Sequence, residues 1–121
     1  MTRTLRPSDE MPRIYLRREP VDFRMGFRGL GVLVEQGLDH NPFDGGLYVF
    51  TNRQHNKIKC LYWEDNGFVL YYKSLSEEKF KWPKREDKVI TLTGQQINWL
   101  LDGYDISVMK GHKKLHYEAV F

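Results

Sequence analysis

A chain of 121 residues has room for one domain with one real core. Its hydrophobic content of 40% is that of a globular protein, no apolar run approaches a membrane span, and no segment has the parts of a signal peptide; a cytoplasmic protein that does not enter the membrane is expected. The net charge of +3 is too small to establish a nucleic-acid partner by itself, and the single cysteine, Cys60, excludes an internal disulfide.

Residues 1–11 are polar and aperiodic, and read as a flexible N-terminal arm ahead of a single α+β domain over 12–121. Arg13 to Arg17 alternates charged and apolar residues, as a strand does. Asp22 suits a helix N-cap, and Phe23, Phe27, Leu30 and Val34 follow at helical spacing, so a helix is expected over Phe23 to Glu35. Gly26, Gly29 and Gly31 weaken that helix and point to close packing against a sheet. Gly37 ends it, and a loop anchored by Pro42-Phe43 follows.

Three strand-length runs come next, Leu47 to Thr51, Lys57 to Trp63 and Phe68 to Lys73, with a weaker fourth at Lys79 to Trp82. Asn66-Gly67 is a strong hairpin signal because both residues tolerate positive φ. The hairpin parity puts Lys59, Leu61 and Trp63 beside Phe68, Leu70 and Tyr72 on one face. Ile58, Cys60 and Tyr62 then share the other face with Val69, Tyr71 and Lys73. Neither face is polar. One is expected to pack on the chain's own helices; the other is covered by terminal segments or left for a partner. Val89 to Leu92 is extended, and Thr93 caps a second helix to Asp102 with Ile97, Leu100 and Leu101 inward. The resulting expectation is an α+β fold, an antiparallel β-meander of about four to five strands with two helices. Its expected core is Phe27, Leu30, Val49, Leu61, Leu70, Ile97 and Leu100.

Motifs of chemistry are few. The sequence has neither a P-loop nor a GxGxxG. His112 and His116 stand four apart, but HKKLH lacks the glutamate of a zinc protease motif. A metal-dependent nuclease would need converging carboxylates such as Asp22, Glu64 and Asp105, yet each has a simpler reading as a cap, turn or post-helix residue. No catalytic residue, metal site or cofactor is expected. Cations are more suggestive. Seven arginines fall in the first thirty residues, and Lys79, Lys81, Lys84, Arg85 and Lys88 cluster after the meander; interspersed acids equally suit a solvated surface.

Pro20-Val21-Asp22-Phe23-Arg24-Met25-Gly26-Phe27-Arg28-Gly29-Leu30 resembles the signature P-x-D-[MF]-R-x-G-F-x-G-L. Asn41-Pro42-Phe43, Leu47-Tyr48-Val49-Phe50, Asn52-Arg53, Leu61-Tyr62-Trp63, Phe80-Lys81-Trp82-Pro83 and Leu92-Thr93-x-x-Gln96 continue the likeness in order. The chain is identified on these motifs as similar to the second-open-reading-frame accessory protein of the insertion sequence 66 family, often called the B-type transposition protein. The resemblance implies a non-enzymatic factor encoded beside a separate transposase. Its expected partners are that transposase, transposon-end DNA and a second copy of the chain. Arg24, Arg28, Arg53, Lys57, Lys59 and Lys73 would be phosphate or partner contacts, with Tyr62, Trp63 and Tyr71 as apolar surface. Gln54-His55-Asn56, Lys73-Ser74-Leu75 and Glu78-Lys79-Phe80 depart from the family pattern toward lower positive charge or flexibility, which argues against strong phosphate binding. A purely protein-binding adaptor is the remaining alternative to DNA contact.

Overall fold

The structure is a computed structural model that describes residues 5–109. The His112 and His116 pair therefore lies outside the described residues, as does most of the tail. Five strands form one sheet: β1 (Ile14–Arg17), β2 (Leu47–Thr51), β3 (Lys57–Glu64), β4 (Gly67–Ser74) and β5 (Val89–Leu92), in the order β4-β3-β2-β1-β5. Strands β2, β3 and β4 make the expected antiparallel meander, and the hairpin register pairs Leu61 with Leu70 and Cys60 with Tyr71. The sheet as a whole is mixed, which corrects the expectation of an antiparallel meander throughout. Strand β1 runs parallel to β2 and antiparallel to β5. A parallel neighbour requires a crossover, and the first helix lies within it.

The weak fourth run is not a strand. Phe80 and Trp82 are buried as anchors, while Lys79 and Lys81, which alternate with them, are exposed. Backbone pairing there is reduced to single bonds such as Phe80 N to the His55 carbonyl at 2.7 Å. Pro83 has no N–H to extend a ladder.

Helix α1 (Phe27–Val32) is shorter than its apolar spacing suggested. Asp22 does not cap it. Its Oδ1 instead accepts from Arg24 N at 2.9 Å and its carbonyl accepts from Met25 N, closing a turn. The carbonyls of Phe23 and Met25 are bound by Lys59 Nζ, at 2.8 Å each, so the chain is held out of the helix until Gly26. A π-helical turn over Leu33–Gly37 extends α1; Leu38 N reaches back to the Leu33 carbonyl. Helix α2 (Gly94–Leu101) starts as expected with a capping box, in which Thr93 Oγ1 accepts from Gln96 N and Gln96 Oε1 accepts from Thr93 N.

Each face of the sheet is covered by one helix. Leu30 and Val34 pack on Tyr48, Phe50 and Leu61 on one side. On the other, Ile97, Leu100 and Leu101 pack on Ile14, Leu16, Val49, Ile58 and Cys60. All five residues of β2 are consequently buried. This double cover is why neither hairpin face reads as polar. Phe27 corrects the expected core, being 43% exposed at the first position of α1, and Leu70 is only half-buried. Residues 5–9 lie along α2, where the buried Asn98 side chain donates to the Pro7 carbonyl and Asp9 Oδ1 and accepts from Arg6. Among the described residues no helix is long and apolar enough to cross a membrane.

Candidate nucleic-acid interface

The Pro20 to Arg24 signature runs beside the loop between β2 and β3, joined to it by Val21 N donating to the Thr51 carbonyl at 2.9 Å. Asn52 shapes that loop. Its Oδ1 accepts from Asn56 N and Lys57 N, and its Nδ2 donates to Asn56 Oδ1 at 2.6 Å. A buried amide with these bonds holds the five-residue connection closed. Between the two segments lies an open groove of about 740 Å³, lined by Glu19, Asp22, Arg24, Arg53, Lys57 and Tyr72 among others.

Of the nine residues expected at a site, the groove gathers Arg24, Arg53 and Lys57. Arg24 is paired side-on with Asp22, Nη2 to Oδ2 at 2.6 Å. The pair holds the Asp22 carboxyl down at a pKa of about 2 and raises that of Arg24. Arg53 is exposed and Lys57 half-buried. Lys59 is not a surface cation: it is 5% exposed, and its ammonium sits 4.8 Å from the Phe23 ring centroid and 5.2 Å from that of Tyr72. Burial, aided by the Lys57 charge, lowers its pKa. It supports the signature backbone from beneath.

The other expected residues lie elsewhere. Arg28 is exposed on α1, over the Phe27 ring. Lys73 Nζ donates to the Leu101 carbonyl at 3.0 Å, placing a cation at the C-terminal end of α2 where the helix dipole favours it. Trp63 packs edge-on against Phe43 and Phe68 on the α1 side. Tyr62 and Tyr71 stand on the α2 side, with Met11 and Leu5 along the same shallow apolar groove. Burial raises the Tyr71 phenol's pKa. The three aromatic residues therefore do not form one surface.

Sequence reasoning missed Asn52, whose part is architectural, and Tyr72, which walls the groove. An asparagine that ends a strand and opens a tight loop is the signal that identifies the first. The three carboxylates weighed for a nuclease occupy separate settings: Asp22 in the signature turn, Glu64 at the β3–β4 hairpin, and Asp105 after α2 with its Oδ1 accepting from Ser107 N. Among the described residues, no group of three or more His, Cys, Asp or Glu side chains could hold a metal ion.

The chain is similar to two proteins of Sinorhizobium fredii (strain NBRC 101917 / NGR234). Uncharacterized protein y4hO is 33% identical over 99 residues, 82% of this chain and 86% of that one. Uncharacterized protein y4jC is 33% identical over 98 residues, 81% of this chain and 84% of that one. No solved structure matches it significantly. The family described as IS66 Orf2 like protein matches residues 12–111, from before β1 past the end of α2. With the signature turn, the Asn52 loop and the Thr93 capping box all inside that span, the chain belongs to the IS66 Orf2-like family, whose role is an accessory one in transposition.

Proposed function

We propose that the protein is a non-catalytic accessory factor that works beside a separate transposase and touches transposon DNA through weak, sequence-independent phosphate contacts. The observation that carries this reading is the signature groove, where two family motifs that are distant in sequence present Arg24, Arg53 and Lys57 along one opening. Glu19 and Asp22 in the same lining moderate the potential, which favours weak binding. Arginine and lysine on loops and strand ends contact backbones, whereas base reading needs an element that enters a groove of DNA. The exposed Phe27, Val32 and Phe43, next to Trp63 and Phe68, make the surface we assign to the transposase.

A salt titration of binding to terminal-repeat and scrambled duplexes tests the reading. Affinity should fall by about 0.9 log unit per log unit of salt for each phosphate neutralised, equally for both duplexes. A preference for the terminal repeat beyond about a hundredfold would mean that the chain reads bases itself. Pull-down of the element's transposase by this protein, weakened by Phe43→Ala, tests the protein contact. Duplex cleavage in Mg²⁺ or Mn²⁺ that is abolished by Asp22→Asn or Glu64→Gln would establish the nuclease alternative instead. A transposase contact without any DNA binding at low salt would establish the adaptor.

A further inference from the structure

The loop that walls the signature groove has a second groove on its other side. His55, in that loop, adopts φ 58° and stacks on Trp82 with ring centroids 6.1 Å apart. Trp82 is in turn fixed by its indole N–H donating to the Arg18 carbonyl at 2.9 Å. Phe80 N donates to the His55 carbonyl, and the Phe80 side chain is 3% exposed. These anchors pin an extended segment whose alternate residues must face outward. Lys79 and Lys81 are those residues, and Lys84 and Arg85 follow past Pro83. The four cations line an opening of about 530 Å³ with His55, Trp82 and Asp105.

Charge distinguishes this groove from the first. Its lining has four Lys and Arg side chains and one carboxylate, Asp105; the signature groove has three and two. Arg85 is paired with Asp87, Nη2 to Oδ2 at 2.9 Å, but among the described residues Lys79, Lys81 and Lys84 have no carboxylate within ion-pair distance. The single carboxylate is engaged by Ser107, through its N–H at 2.9 Å and its hydroxyl at 2.5 Å. The cations converge: the pKa of His55 is lowered by burial first and then by Lys79 and Lys84, and that of Asp105 by its Ser107 bonds first and then by Lys81 and Lys84. Holding like charges together is unfavourable until an anion joins them.

We propose that the groove between the β2–β3 loop and the Lys79 to Arg85 segment is a phosphate site, and the main one through which the chain holds the backbone of duplex DNA. The inference rests on the DNA-contact reading above and moves its centre from the signature motif to the strap that follows the meander. Lysine suits the task, since an ammonium on a flexible stem follows a backbone without demanding a fixed geometry.

The test compares the full chain with Lys79→Ala/Lys84→Ala and Arg53→Ala/Lys57→Ala double variants, using one scrambled duplex of about 20 base pairs across a range of salt. All substituted residues are on the surface or half-buried, and a thermal unfolding transition like the parent's is required of each variant as the control for folding. The Lys79→Ala/Lys84→Ala protein should lose about tenfold or more at low salt and flatten the salt slope by about two, with a smaller loss in the other variant. Imidazole resonances provide a local readout: duplex should raise the titration midpoint of His55 in the parent protein, because phosphate offsets the two lysines. Unchanged binding by Lys79→Ala/Lys84→Ala, or a loss no larger than that of the other variant, overturns the assignment and leaves the broader DNA reading standing. A parent protein that binds no duplex at low salt overturns both.

Discussion

Replacing Lys59 with methionine tests whether the signature turn depends on a buried cation. The ammonium is bonded to two carbonyls, those of Phe23 and Met25, at 2.8 Å each. Methionine has nearly the same length and volume, so no cavity of consequence opens. What is lost is hydrogen bonding: leaving a buried acceptor unsatisfied costs about 1–3 kcal/mol, and there are two. Removing the ammonium also relieves the penalty of burying a charge, which offsets part of that loss. A net loss of about 1–3 kcal/mol is expected, read as a lower urea midpoint at unchanged m-value. The sign of the pH dependence supplies a second check. Burial holds the folded-state pKa of Lys59 below 10.5, so the folded chain gives up this proton before the unfolded chain does. Its contribution to stability is therefore fully present above about pH 10.5 and is lost as pH falls through the folded pKa. The stability gap between parent and Lys59→Met should accordingly widen as pH rises toward 10.5. A variant as stable as the parent would refute the account of Lys59 as the support of this turn, whereas a gap that narrows with rising pH would show that the two carbonyls stabilise the ammonium by more than its burial costs.

Four other substitutions probe other features of the fold and the groove. Leu61→Ala should cost about 2–5 kcal/mol and Phe27→Ala under about 1 kcal/mol in chemical denaturation, because Leu61 is fully buried and Phe27 is 43% exposed. Gly94→Ala would drive a methyl group into the Asp9 carbonyl and to 2.6 Å from that of Ser8, so residues 5–9 should lift off α2; faster amide exchange there, with α2 itself still protected, is the measurement. Asp22→Asn should release Arg24 and tighten duplex binding at low salt, and in the parent protein the pair should persist through mildly acidic pH because Asp22 titrates only near 2.

Local rules were enough to read much of this chain. The β3–β4 hairpin, its face parity, the Thr93 helix start and most of the core follow from period and turn chemistry, because those features depend on residues close in sequence; the turn itself falls on Asp65-Asn66, with the positive φ at Asp65, rather than on Asn66-Gly67. The family was also legible, since short motifs in a set order survive without any knowledge of shape. Tertiary structure decided the rest. That β1 inserts between β2 and β5 depends on a crossover, and a strand's own sequence carries no mark of its neighbour. The spacing of Phe23 and Phe27 suits a helix equally well, yet Lys59, 36 residues from Phe23, takes the carbonyl and ends the helical reading there. The same buried position removes Lys59 from the list of surface cations, because sequence reports that a residue is charged but not which way it faces. Arg24, Arg53 and Lys57 line one groove, and Lys79 to Arg85 another, only because the β2–β3 loop stands between the two. Electrostatic fields add over space and fall off with distance, so where cations sum into a binding surface is set by folding rather than by their order along the chain.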